Sequence, residues 1–312
     1  MRILQLDHNH PLISDQLSER GFLVEEDHYS SYDEILQKIE PFDGIVIRSR
    51  IPIDLNFLQN AKNLKFIARV GAGMENIDVA AAEHLGIKLI HAPEGNRDSL
   101  AEHVLGMLLL LMHRLKISSE EVKNGIWLRE ENRGDEIMGK TVGLIGYGNM
   151  GKAVAQRFSG FGCKVIFHDI IPGLADKNAE QVSLEELKKQ ADIISLHIPL
   201  TAETHHLIDK NFIEEVRKPF YLVNTSRGIN IQTKCVVEAI QSGKIIGACL
   251  DVLEYETASF EKIDPKNTDL EFLLKSEQVL ITPHIAGWTH QSKQKLAQVI
   301  VDKILREYPS VL

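Results

Sequence analysis

Short apolar runs rich in β-branched residues alternate along the chain with stretches whose apolar positions recur every three or four residues. Residues 3–7, 21–25, 44–48, 64–70 and 87–91 have the strand pattern, and residues 11–20, 32–40 and 78–85 the helical one. Alternation at this interval predicts βαβ units and a mostly parallel sheet. A long helix is predicted over 98–115, with Asp98 or Ser99 as N-cap and Glu102 in its first turn. It is apolar nearly all round and is expected to be buried. Residues 118–138 are polar, carry a lone Trp127 and read as helix plus exposed loop.

At Gly139-Lys140 the alternation restarts. Strands are predicted at 141–145, 164–168, 193–197, 221–224, 247–250 and 279–282, and helices at 150–161, 183–190, 234–242 and 289–307. The pattern is therefore α/β, with two doubly wound parallel-sheet domains. If the last helix packs back on the first block, that domain is discontinuous.

A length of 312 residues suits two such domains, and 44% apolar with 25% charged residues is ordinary for a globular chain. The net charge of -9 argues against a nucleic-acid partner. Cys163, Cys235 and Cys249 are scattered, which excludes a disulfide framework or zinc cluster and predicts small buried hydrophobes; no metal is expected. The N-terminal ten residues turn polar too soon for a signal peptide, and the apolar run 104–112 is too short to span a bilayer. A cytoplasmic location is expected.

The strand 141–145 runs into Gly146-Tyr147-Gly148-Asn149-Met150-Gly151, and a helix follows. In such a loop the first glycine makes a tight turn, the second admits a pyrophosphate, and the third lets helix pack on strand. The helix N-terminus adds N–H donors and a positive dipole end. Asp169 ends the next strand, about 20 residues on, where a carboxylate accepts from a ribose and repels a 2′-phosphate. No arginine or lysine stands in Ile170-Ile171-Pro172, so the expected cofactor is NAD.

Further polar residues stand beyond later strand ends: Thr225-Ser226-Arg227-Gly228, Asp251, Glu256 shortly after it, and Pro283-His284-Ile285-Ala286-Gly287. Ligands of open parallel sheets bind beyond those ends. Reducing a ketone by hydride leaves negative charge on oxygen, which calls for a proton donor, a cation and a group to hold the substrate. A histidine donates near neutral pH, and a neighbouring carboxylate favours its charged form and fixes its orientation. An arginine fork holds a carboxylate and polarises the carbonyl. His284, Glu256 and Arg227 fit the three roles. Each alone has an ordinary reading, for the chain has 13 histidines and Glu254 rivals Glu256 on pattern.

The sequence resembles the D-isomer-specific 2-hydroxyacid dehydrogenases over nearly its whole length. The matching stretches include Arg69 to Asp78, Ala101-Glu102-His103, Gly139 to Gly151, and His197-Ile198-Pro199-Leu200-Thr201 with Thr204. They continue through Asn224 to Gly228, Leu250-Asp251-Val252 with Glu256, and Pro283 to Gly287. The resemblance implies an NAD-binding Rossmann domain, 96–284, inserted in a flavodoxin-like substrate domain, 1–95 plus 285–312. It implies that Arg227 binds and polarises substrate, that His284 is the acid/base paired with Glu256, and that Asp251 positions the nicotinamide. The backbone of Val70, Gly71, Ala72 and Gly73 would hold the substrate carboxylate. His197, Pro199, Thr204, Thr225 and Gly287 would line the cofactor site. Thr257 stands where the family usually has proline, which touches only local loop shape.

Arg48 and Arg69 fall at predicted strand ends of the first block, and two guanidinium groups suit a doubly anionic substrate tail. This pairing looks like the phosphoglycerate dehydrogenase branch; Arg133 is a weaker candidate for the same work. Glyoxylate/hydroxypyruvate reductase is the alternative enzyme, and a non-catalytic NAD-sensing scaffold the alternative of another class. The chain ends after its last helix, so an extra C-terminal regulatory domain is not expected. A homodimer is expected, as the 98–115 helix and the segment after it look like dimer contacts in relatives.

Overall fold

A computed structural model describes residues 1–256 and 268–309. The chain divides into two compact units, Met1–Arg97 with Trp288–Leu312, and Asp98–Gly287. Thr257 lies outside the described residues.

The first unit is a parallel sheet of β1 (Arg2–Gln5), β2 (Leu23–Glu26), β3 (Gly44–Ile47), β4 (Phe66–Arg69) and β5 (Lys88–His91), in the order β2-β1-β3-β4-β5. Successive side chains of a strand point to opposite faces, so the apolar runs feed two cores. Leu4, Ile45, Ile47 and Ile67 pack with Ile35, Ile39 and Phe57 on one face. Ile3, Val46, Phe66 and Ala68 pack on the other with Ile13 and Leu17, and with Ala297, Ile300, Val301 and Ile304 of the last helix, His290–Glu307. That helix is capped by the Thr289 hydroxyl, which accepts from Ser292 N–H at 3.0 Å. It completes the unit's second face, so the unit is built from two separate segments of chain.

The second unit is a seven-stranded parallel sheet of β6 (Thr141–Ile145), β7 (Lys164–His168), β8 (Glu180–Gln181), β9 (Ile193–Leu196), β10 (Phe220–Asn224), β11 (Ile245–Leu250) and β12 (Val279–Ile281). The order β12-β11-β10-β9-β6-β7-β8 reverses between β6 and β9, which is the Rossmann arrangement with its switch point there. The strands bury both faces, one against Leu187, Phe212 and Val236, the other against Val104, Leu108, Val154 and Phe158. Both units are α/β with parallel sheets, as the alternation predicts.

The long helix runs Pro93–Met112, so Asp98 and Ser99 lie inside it and not at its cap. Pro93 occupies the first helical position, where a missing N–H costs nothing. The segment after it holds the helix Leu115–Lys123 and an exposed Trp127. The helices Lys210–Glu215 and Thr268–Lys275 and the strand β8 have no counterpart in the sequence reading. Of the cysteines Cys249 is buried, whereas Cys163 and Cys235 are only partly so. Among the described residues no helix is long and apolar enough to cross a membrane.

Candidate active site

The register of the second sheet aligns its carboxyl ends. His168 pairs with Ile145, Ile145 with Leu196, Leu196 with Asn224, Asn224 with Leu250, and Leu250 with Ile281. One residue beyond this row stand Asp169, Gly146, His197, Thr225, Asp251 and Thr282. Neighbouring strands are about 4.8 Å apart, so these residues share one edge of one sheet.

At the switch point Gly146 has φ +92°, and a Cβ there would lie 2.4 Å from the His197 carbonyl oxygen. A Cβ on Gly151 would lie 2.2 Å from the Gly146 oxygen, so the third glycine lets the helix Asn149–Phe158 abut the strand. Gly148 caps that helix with no side chain, and a Cβ there would meet nothing within 4 Å. Asn149 is exposed and Met150 half-buried at its first turn. Asp169 accepts from the N–H groups of Tyr147 at 2.7 Å and Ile171 at 2.9 Å, tying the acid to the loop. Thr225 Oγ1 and His197 Nδ1 are buried without a hydrogen-bond partner among the described residues. His197 Nε2 lies 2.9 Å from Ser195 Oγ, and burial pushes its pKa down to about 3, which keeps the ring neutral. The glycine cradle, the acid beside it and the unpartnered hydroxyl fit a dinucleotide. The Thr204 hydroxyl is already engaged: it donates to the Pro199 carbonyl at 2.7 Å and closes that loop.

At the other end of the row, His284 Nδ1 lies 2.9 Å from Glu256 Oε2. Glu256 also accepts from Leu253 N–H, which fixes the carboxylate. Glu254 faces elsewhere: it lies 2.7 Å from His206 Nε2 and accepts from Thr233 N–H at 2.9 Å. His284 has φ +55°, a left-handed conformation that a histidine seldom adopts. Its N–H donates to the Asp251 carbonyl at 2.8 Å. The Asp251 carboxylate is 1% exposed and accepts from Thr282 Oγ1 at 2.6 Å, Ile285 N–H at 2.9 Å and Ala286 N–H at 2.8 Å. Burial alone would raise its pKa; these bonds and one from His103 outweigh that and hold it below the usual carboxylate range. Gly287 ends the loop.

Arg227 sits on a turn braced from both sides. Asn224 Nδ2 donates to the Arg227 carbonyl at 2.9 Å, and Arg227 N–H donates to Asn230 Oδ1 at 3.1 Å. Asn230 in turn donates to the Thr204 carbonyl at 2.9 Å. A Cβ on Gly228 would lie 2.0 Å from the Leu253 carbonyl carbon and oxygen, so the Arg227 turn rests directly on the backbone leading to Glu256.

The family model for "D-isomer specific 2-hydroxyacid dehydrogenase, NAD binding domain" matches residues 105–286. The chain belongs to the D-isomer-specific 2-hydroxyacid dehydrogenases. Hydroxypyruvate reductase of Thermotoga maritima is 36% identical over 275 residues, 88% of each chain. D-3-phosphoglycerate dehydrogenase of Archaeoglobus fulgidus is 35% identical over 296 residues, 93% of this chain and 54% of that protein. The chain thus spans about half the length of the curated phosphoglycerate dehydrogenases it matches. Among solved structures, D-lactate dehydrogenase from Aquifex aeolicus complexed with NAD and lactic acid superposes with a TM-score of 0.84 at 29% identity, covering 98% of this chain and 96% of that one. The protein is accordingly an oxidoreductase that uses a nicotinamide cofactor on small 2-hydroxy or 2-keto acids.

In this dehydrogenase the first unit carries its own polar edge. Ile47 pairs with Arg69, so Arg48 follows the end of β3 beside the end of β4. The Arg48 guanidinium lies over the Trp288 ring, 4.2 Å from its centroid. Burial lowers its pKa, partly offset by the Asp7 carboxylate. Arg69 folds over its own loop, its guanidinium filling the space a Gly71 Cβ would take. The amides of Val70 and Gly71, two of the four expected to hold an anion, donate instead to the carbonyls of Ile47 at 2.8 Å and Arg69 at 2.9 Å. Arg133 is largely exposed and paired with Glu130 at 2.6 Å, an arrangement local to its loop. The sequence reading passed over Asn230, His206 and Trp288. No local pattern marks any of the three, and the burial of the Asn230 amide emerges only from the fold.

Proposed function

We propose that this dehydrogenase interconverts 3-phosphoglycerate and 3-phosphohydroxypyruvate with NAD. His284 is its acid/base, Glu256 the carboxylate that orients it, and Arg227 the cation that binds substrate. The 2.9 Å contact between His284 Nδ1 and Glu256 carries the catalytic part of this reading. With Nδ1 engaged, Nε2 is the atom that exchanges a proton with the substrate oxygen. Arg227 holds the carboxylate and draws charge toward the carbonyl oxygen. The cofactor supplies or accepts the hydride. Gly148 leaves room for its pyrophosphate while Gly146 and Gly151 let turn and helix pack closely beside it, Asp169 takes the ribose, and Thr225 and Asp251 stand by the nicotinamide half. Asp169 also repels a 2′-phosphate, so NADPH should serve poorly and gain on Asp169→Ala.

The placement of Arg48 beside Arg69 supports the phosphorylated substrate, since two forks match a dianion. Domain roles follow: the unit of residues 98–287 binds cofactor, and the unit holding the two arginines binds substrate. A hydroxypyruvate or glyoxylate reductase is the second reading. It is favoured by the Thermotoga relative, which matches across 88% of both chains. Turnover of phosphohydroxypyruvate, hydroxypyruvate and glyoxylate, read by NADH absorbance, separates the two. Arg48→Ala with Arg69→Ala should raise KM for the phosphorylated acid by about 10-fold or more, as charge-assisted pairs are lost. An unchanged KM would remove the phosphate assignment.

A further inference from the structure

We infer that His103, together with Ser99, positions the loop that carries His284. The inference rests on the acid/base reading above. Ser99, His103 and Met107 are four residues apart and so lie on one face of the helix Pro93–Met112. Each touches a residue of the His284 loop. Ser99 Oγ donates to the Ala286 carbonyl at 2.7 Å. His103 Nε2 lies 3.0 Å from Thr282 Oγ1 and 3.5 Å from Asp251 Oδ1. Met107 Sδ lies 3.8 Å from Thr282 Oγ1.

The hydroxyl of Thr282 has one proton and gives it to Asp251 at 2.6 Å. It therefore accepts from His103, which places a hydrogen on Nε2. Asp251 passes the constraint on through the N–H groups of Ile285 and Ala286, the two residues that follow His284. His284 holds φ +55°, a disfavoured conformation for a β-carbon residue, which persists only where surroundings over-determine it. The surroundings here are Asp251 from the sheet edge and the polar stripe of the helix. Beside this stripe Leu100, Ala101, Val104 and Leu108 are buried in the core. A serine and a histidine there cost packing, and the His284 loop is what they serve. His103 contacts Thr282 and Asp251 rather than His284, so it is a positioning residue.

The test compares His103→Leu, His103→Gln and Ser99→Ala with His284→Ala in the full-length protein. For His103→Leu, kcat should fall about 10–100-fold, since small misplacements of reacting groups are costly. KM for the 2-keto acid should change by less than about threefold, and the isotope effect with deuterated NADH should rise as chemistry becomes slower. Hydrogen exchange over residues 282–287 of the cofactor-free protein should quicken about 10-fold as the loop opens locally. His103→Gln keeps a donor and should recover most of both losses, and Ser99→Ala should show a smaller loss of the same kind. Unchanged exchange and kcat in His103→Leu would overturn the proposal, as would a glutamine variant no better than leucine. If His284→Ala turned over normally, the acid/base reading itself would fail. If His284→Ala were inactive while His103→Leu was normal, only the positioning role would.

Discussion

Gly228→Ala adds one methyl group at the place where the Arg227 turn rests on the Glu256 loop. The new Cβ would stand 2.0 Å from the Leu253 carbonyl carbon and oxygen and 2.5 Å from Glu254 N. Ordinary contact begins at 3.4 Å, so the shortfall is 3.4 − 2.0 = 1.4 Å. All three neighbours are backbone atoms, so no side chain can swing aside. One loop must move by about 1 Å, and each is held: the first by Asn224 and Asn230, the second by the bonds of Glu256. Overpacking of this kind costs about 1–3 kcal/mol. For a unit of this size that lowers Tm by roughly 2–12 °C. The larger effect is on rate, because a displacement of about 1 Å between catalytic groups costs about 100-fold. NADH oxidation with the preferred 2-keto acid reads kcat, and a thermal melt reads the rest. Gly160→Ala is the control, since a Cβ there meets nothing within 4 Å. A Gly228→Ala enzyme with kcat within about twofold of the parent would refute the claim that these two loops set each other's position.

His284→Ala should lower kcat by about 10²–10⁴, the usual loss of a general acid, and a near-normal kcat in steady-state assays would refute the role. Trp288→Ala should raise KM for the phosphorylated acid about 3–10-fold by freeing the Arg48 guanidinium from its ring, with Trp288→Phe close to the parent; equal effects on phosphorylated and unphosphorylated acids would argue against it. Asp251 has its folded pKa depressed below the unfolded value near 3.9. Its contribution to stability is therefore complete above that value and is lost as pH falls through the folded one. Melts between about pH 6 and pH 2 should show the parent's advantage over Asp251→Asn shrinking below about pH 4, and a gap independent of pH would contradict the sign.

The strands other than β8, a polar pair Glu180–Gln181, were legible because buried parallel strands are runs of β-branched residues, and the six-residue glycine loop because close approach to a strand admits no side chain. The start of the long helix was not. Pro93, Gly95 and Asn96 have poor helical propensity, yet Pro93 suits a first turn, and a Cβ on Gly95 would come within 2.7 Å of the Leu296 backbone. Packing against the last helix, some 200 residues away in sequence, requires the glycine that local propensity counts against. The same holds at the site. His284, Glu256 and Arg227 could be nominated from their chemistry, but nothing local shows that Asn224, Leu250 and Ile281 fall in one row. That alignment is a property of strand register. Choosing Glu256 over Glu254 likewise depends on where His206 and Thr233 stand, since both carboxylates are otherwise equivalent in spacing. Residues that perform chemistry are recognisable by type, whereas residues that aim them are recognisable only by contact. Gly228, Asn230 and His103 belong to the second kind. For that reason substitutions there test the arrangement of the site more sharply than removal of the acid itself, which would abolish turnover under almost any geometry.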